Sequence, residues 1–174
     1  MDPTEGAAAL DATVDICAQL MRRYAASSAP QHRHLIATAA AMKAILLEDS
    51  LPLSPLSYFA AAITALSEPH QNDAASSSAI ATLLSIVLPI VLEGSISPEK
   101  AREAVGILVR VLEDEKRGST SSAKCVVKCL GVLLGFCDLG DWDSVELPFE
   151  TLLRRSLDKR PKVSAPSFGD FGSV

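Results

Sequence analysis

Two Ser-Pro pairs, Ser54-Pro55 and Ser97-Pro98, constrain the fold of this chain more than any other feature, and they lie 43 residues apart. A serine before a helix accepts a hydrogen bond from an amide of the first turn. A proline directly after it occupies a position that needs no amide hydrogen. Apolar residues spaced three and four apart follow each pair. The sequence therefore predicts that a helix begins at both places.

The same helical spacing recurs along most of the chain and predicts an all-α protein of about seven helices. The expected helices cover residues 7–24, 31–48, 55–66, 74–92 (with Asp73 as its cap), 98–112, 121–137 and 144–157. The fourth is apolar nearly all round, which predicts burial between neighbouring helices, and Pro89 is expected to kink or end it. No segment shows sustained alternation with a period of two, so no β-sheet is expected.

The apolar stripes predict which side chains face the core. In the first helix the inward residues are expected to be Leu10, Val14, Cys17, Met21 and Tyr24. In the second they are Leu35, Ala39, Met42 and Leu46; in the third, Leu56, Phe59, Ala60, Ile63 and Leu66; and in the seventh, Val145, Phe149, Leu152 and Leu153. The first two sets step at three and four residues along their helices, and the other two keep this spacing apart from one adjacent pair each, Phe59-Ala60 and Leu152-Leu153.

The 43-residue spacing of the two helix starts predicts a repeat architecture, because each Ser-Pro pair opens a two-helix unit. HEAT and armadillo repeats have periods of roughly 40–47 residues. We therefore expect an α-solenoid of antiparallel helix pairs over residues 31–163, an N-terminal helix and linker over 1–30, and a disordered tail over 164–174. A single irregular helical bundle is the alternative.

Charge is unevenly distributed along the chain. The net charge is −5, which argues against a protein that coats nucleic acid. Residues 1–150 hold 11 Lys and Arg against 19 Asp and Glu, whereas residues 151–174 hold 5 against 2. A weakly acidic body therefore ends in a basic segment.

Residues that often form metal sites lack the partners that such sites need. Cys125 and Cys129 share a helix face, but zinc takes four ligands and no histidine lies nearby in sequence. They are interpreted as small apolar core residues. His32 and His34 are interpreted as exposed residues of a first helical turn. No metal site is predicted.

Acidic residues and catalytic motifs give no indication of an enzyme. Asp138, Asp141 and Asp143 are expected to cap the next helix, while Trp142 packs between repeats. There is no Gly-x-Ser-x-Gly elbow, no phosphate-binding loop ending in Lys-Ser/Thr and no His-Glu-x-x-His. We therefore expect no enzymatic activity and no cofactor.

The cysteine pattern and the apolar segments indicate where the protein works. The four cysteines do not have the spacing of a secreted disulfide scaffold, and the N-terminus has no basic region typical of a secretory signal. The longest apolar stretch, 79–92, is too short for a membrane span. The sequence predicts an intracellular, soluble and reduced protein.

Three long runs carry a resemblance to a known family: ILLEDSLPLSPLSYFAAAITAL, KCVVKCLGVLLGFCDLGDWDSVELPFETLL and SLDKRPKV. They resemble the N-terminal part of the ribosomal-RNA-processing protein twelve-like family, which are large nuclear HEAT/armadillo-repeat proteins, most closely the plant versions. The resemblance covers roughly residues 30–163, most of this chain but only the beginning of a typical member.

This resemblance implies a non-catalytic role in ribosome biogenesis, in the nucleus and nucleolus. Family members bind pre-ribosomal particles, support pre-rRNA processing and help subunits leave the nucleus. The implied partners are pre-ribosomal proteins, pre-rRNA and nuclear transport factors. The alternative is a generic armadillo/HEAT adaptor that binds proteins and does not contact RNA.

The C-terminal end departs from the family pattern after Val163. The family's next helix is replaced by a segment containing Pro166, Gly169 and Gly172, which are poor helix residues. A truncated or alternatively spliced product is the interpretation. The seventh helix would then lack a neighbour, and its apolar face should be partly bare and less stable.

A basic run near the C-terminus is the one candidate binding site. It consists of Arg154, Arg155, Lys159, Arg160 and Lys162. Such a run is typical of contacts with RNA phosphates or with a nuclear import receptor. The alternative is a solvated helix end followed by a turn between repeats.

Overall fold

The computed structural model describes residues 10–68, 74–114, 120–138, 140–143 and 145–154, and those residues form helices and connecting turns without a β-strand. The helices are α1 (Ile16–Arg23), α2 (Pro30–Glu48), α3 (Pro55–Ser67), α4 (Ala74–Val87), α5 (Pro98–Asp114) and α6 (Thr120–Leu134), with α7 over residues 142–143 and 145–154. The prediction of an all-α chain with about seven helices is confirmed. The expected tail over 164–174 lies outside the described residues.

The helices pair in chain order and stack in two layers. α1 packs on α2, α3 on α4, and α5 on α6. In one layer α4 lies between α2 and α6; in the other, α3 lies beside α5. This arrangement confirms the α-solenoid. It also explains the composition of α4, whose neighbours on three sides bury Ile80, Leu83, Leu84 and Val87.

The two Ser-Pro pairs cap their helices as predicted. The Ser54 hydroxyl accepts a hydrogen bond from the Ser57 amide at 3.2 Å, and the Ser97 hydroxyl accepts one from the Lys100 amide at 3.3 Å. Pro89 ends the regular part of α4 at Val87, and a 3-10 turn, Leu88–Ile90, follows. In the structure the fourth helix therefore ends before residue 92, the expected end, and Pro89 ends its regular part as predicted.

The first helix is shorter than the sequence indicates. Residues 10–15 are not helical, and residues 7–9 lie outside the described residues. Asp11 accepts hydrogen bonds from the amide and the hydroxyl of Thr13, which folds the chain into a turn. Asp15 then caps α1 by accepting from the Ala18 amide at 3.1 Å.

The inward face of α1 is consequently rotated from the predicted stripe. Ile16 and Leu20 are fully buried, whereas Val14 and Met21, which were expected to face inward, are exposed. The predicted stripe treated residues 10–15 as helix. Because they are not helical, the spacing counted from them assigns the wrong helix face to some of the residues that follow. Leu10 and Cys17 are buried as predicted.

One carboxylate joins the first three helices. Asp15 Oδ1 accepts a hydrogen bond of 2.6 Å from the Tyr58 hydroxyl of α3, and Asp15 Oδ2 accepts one of 2.9 Å from Lys43 Nζ of α2. Tyr58 is fully buried. Burial and the neighbouring Asp15 carboxylate raise the pKa of Tyr58 well above its usual value, so the phenol remains a hydrogen-bond donor.

The contacts of Asp15 with Lys43 and Tyr58, called the Asp15 junction below, also change the predicted inward face of α3. Phe59, Ile63 and Leu66 are buried as predicted, but Ala60 is exposed and Leu56 is 39% exposed. The fully buried residue is Tyr58, which the apolar stripe omitted. On α2, by contrast, the predicted inward residues Leu35, Ala39, Met42 and Leu46 are all buried.

The α7 end of the stack is the most open part of the described core. Val145 is buried and Leu152 packs against the core, but Phe149 and Leu153, expected inward, are 45% and 49% exposed. Trp142 does not pack between repeats; it is 57% exposed and meets the Phe149 ring edge-on at 6.0 Å. Asp141 is held by Arg102 of α5 at 3.2 Å.

Because α7 buries only part of its apolar face, with Phe149 and Leu153 about half exposed, we expect it to open more readily than α6. Amide hydrogen exchange of the folded chain should show faster exchange at Leu152 than at Leu130, which is fully buried on α6. Equal protection of the two amides would contradict this expectation.

Candidate functional site

A groove runs across the layer formed by α2, α4 and α6, and it has a volume of about 920 Å³. Its lining residues come from the end of α1, the start of α2, one face of α4 with the following turn, and the first half of α6. They are Leu10, Arg23, Tyr24, Pro30, Gln31, His32, His34, Leu35, Ala75, Ser78, Ala79, Thr82, Ser85, Ile86, Pro89, Ile90, Lys124, Cys125 and Lys128.

Small side chains on α4 make room for this groove. Ala75, Ser78, Ala79 and Thr82 recur at three- and four-residue steps, so they lie on one helix face. Because these side chains are short, the α4 face forms the floor of the groove, and the longer side chains of α2 and α6 form its walls. A chain lying across the groove can therefore approach α4 closely.

Hydrogen bonds hold the polar groups of the floor against the helices. The Thr82 hydroxyl donates to the Ser78 carbonyl at 2.8 Å, and the Ser85 hydroxyl donates to the Thr82 carbonyl at 2.7 Å. The Cys125 thiol lies 3.8 Å from the Thr82 hydroxyl. These hydroxyls have their protons engaged, so toward a ligand they act as weak acceptors and the floor is largely apolar.

An aromatic pair forms one end of the groove. The Tyr24 and His32 rings stack with their centroids 4.0 Å apart, and His32 Nδ1 lies 2.6 Å from the Ser27 hydroxyl. This contact joins the end of α1 to the start of α2. His34, in the same turn, is exposed, as predicted, whereas His32, which was also expected to be exposed, is half-buried because its ring stacks on Tyr24.

The charged side chains among the described lining residues are all cationic. They are Arg23 at one end and Lys124 and Lys128 at the other, and no aspartate or glutamate is among those described residues. The whole chain carries a net charge of −5. The groove is thus a locally cationic surface on an acidic protein.

Comparison with protein families identifies the chain. The family model described as RRP12-like, N-terminal HEAT repeats, matches residues 2–167. The chain belongs to this family. No curated protein and no solved structure matches it significantly. The resemblance read from the sequence is confirmed, and RRP12-like N-terminal HEAT repeats are scaffolds of a non-catalytic type with an implied nuclear role in ribosome biogenesis.

The cysteines of this RRP12-like chain have the environment of core residues. All four are free thiols; Cys17, Cys129 and Cys137 are buried and Cys125 is half-buried. Burial raises the pKa of Cys129 to about 12, with a smaller contribution from Cys125, so its thiol stays protonated at neutral pH. In the part of the chain that the structure describes, no three His, Cys, Asp or Glu side chains are grouped as a metal site would require.

The predicted basic run is only partly placed. Arg154 lies at the end of α7, where it is exposed and 3.9 Å from Glu150, also exposed. Arg155, Lys159, Arg160 and Lys162 lie outside the described residues. Arg154 does not line the groove. None of the helices described here is long and apolar enough to span a membrane.

Sequence reasoning missed the groove, although two signals pointed to it. α4 carries a face of small residues and has no charged residue, and α6 contains two lysines and no acid. Within a single helix neither feature indicates a binding site. Only the side-by-side packing of α2, α4 and α6 places them on one surface.

Proposed function

We propose that this RRP12-like chain is a non-catalytic scaffold of ribosome biogenesis, which works in the nucleus and nucleolus and binds pre-ribosomal proteins and pre-rRNA. The observation that carries the proposal is the family match over residues 2–167. The layered helices supply the physical basis, since a solenoid presents a long continuous surface on which a large assembly can dock.

The basic run supports a contact with pre-rRNA or with a nuclear transport factor. Its five cations lie within nine residues, at the end of an otherwise acidic chain. Contacts between cations and phosphates do not depend on base sequence, and they weaken as salt concentration rises. RNA that binds through this run should therefore be released at moderate salt.

A tagged chain incubated with nuclear extract tests this function. We expect pre-rRNA and ribosome assembly factors to be retained. The matched variant replaces Arg154, Arg155, Lys159, Arg160 and Lys162 with glutamine. In the extract we expect it to retain the proteins and lose most of the pre-rRNA, and when expressed in cells we expect it to enter the nucleus less efficiently. Unchanged RNA retention and nuclear entry in that variant would remove the role of the run.

A generic protein adaptor that does not contact RNA is the second candidate. The largely apolar floor of the groove and the net charge of −5 favour it, because both suit a polypeptide better than a polyanion. The same extract separates the two functions. Retention of proteins alone, without pre-rRNA or assembly factors, would favour the adaptor.

A further inference from the structure

We propose that the groove across α2, α4 and α6 binds an extended segment of a partner protein in which acidic and apolar residues are mixed. The proposal rests on the scaffold function and adds the chemistry of one partner. The segment would lie across the three helices, with carboxylates toward Arg23, Lys124 and Lys128 and apolar side chains on the floor between them.

Charge complementarity is the first argument. Within the part of the chain that the structure describes, the groove has cations at both ends and no acidic lining residue, and the net charge of the whole chain is −5. Lys124 and Lys128 are both exposed and lie one turn apart on α6, where no acid within the helix neutralises them. A carboxylate near them gains Coulomb energy over a few ångströms, whereas the opposing field of the whole protein is screened beyond about 8–10 Å.

The floor supplies the second argument. Between the cations the lining changes to uncharged side chains of α4 and the turn after it, including Ala75, Ala79, Ile86 and Ile90. These side chains can bury leucine- or isoleucine-sized residues of a partner. Packed helices lie about 8–10 Å apart, so the groove spans roughly 16–20 Å from α2 to α6. An extended peptide rises about 3.3 Å per residue and would cross it in five or six residues.

The same features disfavour a single RNA strand in this groove. Single-stranded RNA is held by a continuous row of cations and by aromatic rings on which bases stack. Here the cations are separated by the uncharged face of α4, and the Tyr24 and His32 rings already stack on each other at 4.0 Å. RNA is therefore assigned to the basic run and the acidic peptide to the groove.

Titration of the ¹⁵N-labelled full chain with three probes tests the proposal. The probes are the six-residue Glu-Leu peptide Glu-Glu-Leu-Leu-Glu-Glu, the same peptide with Gln in place of Glu (the Gln-Leu peptide), and hexauridylate. We expect the Glu-Leu peptide to shift amide signals of α2, α4 and α6, and to bind about tenfold more tightly than the Gln-Leu peptide. Shifts confined to α5, equal affinity of the two peptides, or preference for hexauridylate at the groove would overturn it.

Two charge-reversed variants provide the matched comparison. K124E/K128E alters the groove, and K100E/R110E alters exposed cations of α5 that do not line it. We expect the first to weaken Glu-Leu peptide binding about tenfold and the second to change it less than twofold. Circular dichroism establishes that both variants are folded, and K124Q/K128Q replaces the first if reversal unfolds it. Equal weakening by both pairs would overturn the proposal.

The peptide titration is independent of the nuclear-extract experiment. If the groove fails to bind the peptide while pre-rRNA and assembly factors are still retained, the inference about the groove fails and the scaffold function stands. If the peptide binds but the extract yields no ribosome assembly factor, the groove stands and the function in ribosome biogenesis fails.

Discussion

Leu84→Ala should lower the free energy of unfolding by about 3–5 kcal/mol, the largest effect expected of any single substitution considered for this chain. Leu84 is fully buried on α4. The helix packs against α2, α3 and α6, so a cavity there removes contacts in both layers and in successive helix pairs. Neighbouring side chains can fill such a cavity only in part.

Urea unfolding followed by circular dichroism measures this change. The control is Leu92→Ala, eight residues along the chain, where the side chain is 75% exposed. It should change the free energy of unfolding by less than about 0.5 kcal/mol. A loss of similar size in both variants would mean that α4 is not the centre of the stack.

Asp15→Ala should lower the free energy of unfolding by about 2–4 kcal/mol. The substitution removes the cap of α1, worth about 1 kcal/mol, and it leaves the Tyr58 hydroxyl without its acceptor. A buried hydroxyl that loses its partner costs about 1–3 kcal/mol. The substitution also removes the ion-pair partner of Lys43 of α2, whose Nζ lies 2.9 Å from Asp15 Oδ2.

A double-mutant cycle with Tyr58→Phe isolates the contact between α1 and α3. Once Tyr58 is phenylalanine, Asp15→Ala should cost less than it does in the original chain, because no hydroxyl is left unpaired. Glu103→Ala, at an exposed position of α5, is the control and should be nearly neutral. Strictly additive losses would show that the 2.6 Å hydrogen bond contributes nothing to stability.

The Asp15 junction also predicts a dependence on pH. Burial alone would raise the pKa of Asp15, but hydrogen bonds from Tyr58, Lys43 and the Ala18 amide, with the Lys43 charge, outweigh it and lower that pKa. A lowered pKa in the folded state stabilises the protein above the ordinary carboxyl pKa of about 3.9, and this stabilisation is lost as pH falls through the folded value. The stability difference between the original chain and Asp15→Ala should thus be full at pH 7 and shrink below about pH 4.

Local chemistry was sufficient to place most helices. The Ser-Pro starts of α3 and α5, the end of α4 two residues before Pro89 and the inward face of α2 each depend on residues a few positions apart, so they can be read from the chain itself. Interactions within one or two turns carry that local information. The 43-residue spacing indicated a HEAT-type stack, and the long family-like runs indicated the RRP12-like family.

The sequence stripe was wrong where a distant contact decided the outcome. α1 begins at Ile16 because Asp15 caps it while also meeting Lys43 and Tyr58, which are 28 and 43 residues away. The same contact places Tyr58 in the core, and a stripe chosen from apolar residues alone does not include a tyrosine. A polar side chain becomes a core residue only when its partner is also present, and that pairing is set by packing.

The groove is likewise a feature that contacts between distant parts of the chain decide. Arg23, the small face of α4 and the lysines of α6 come from separate helices, and nothing in their local sequence relates one to another. Helical propensity and apolar period determined which elements form, and the three long family-like runs indicated the family. Only the packing of α2, α4 and α6 side by side decided which polar residues share a surface, because relative placement of helices depends on side chains far apart in the chain.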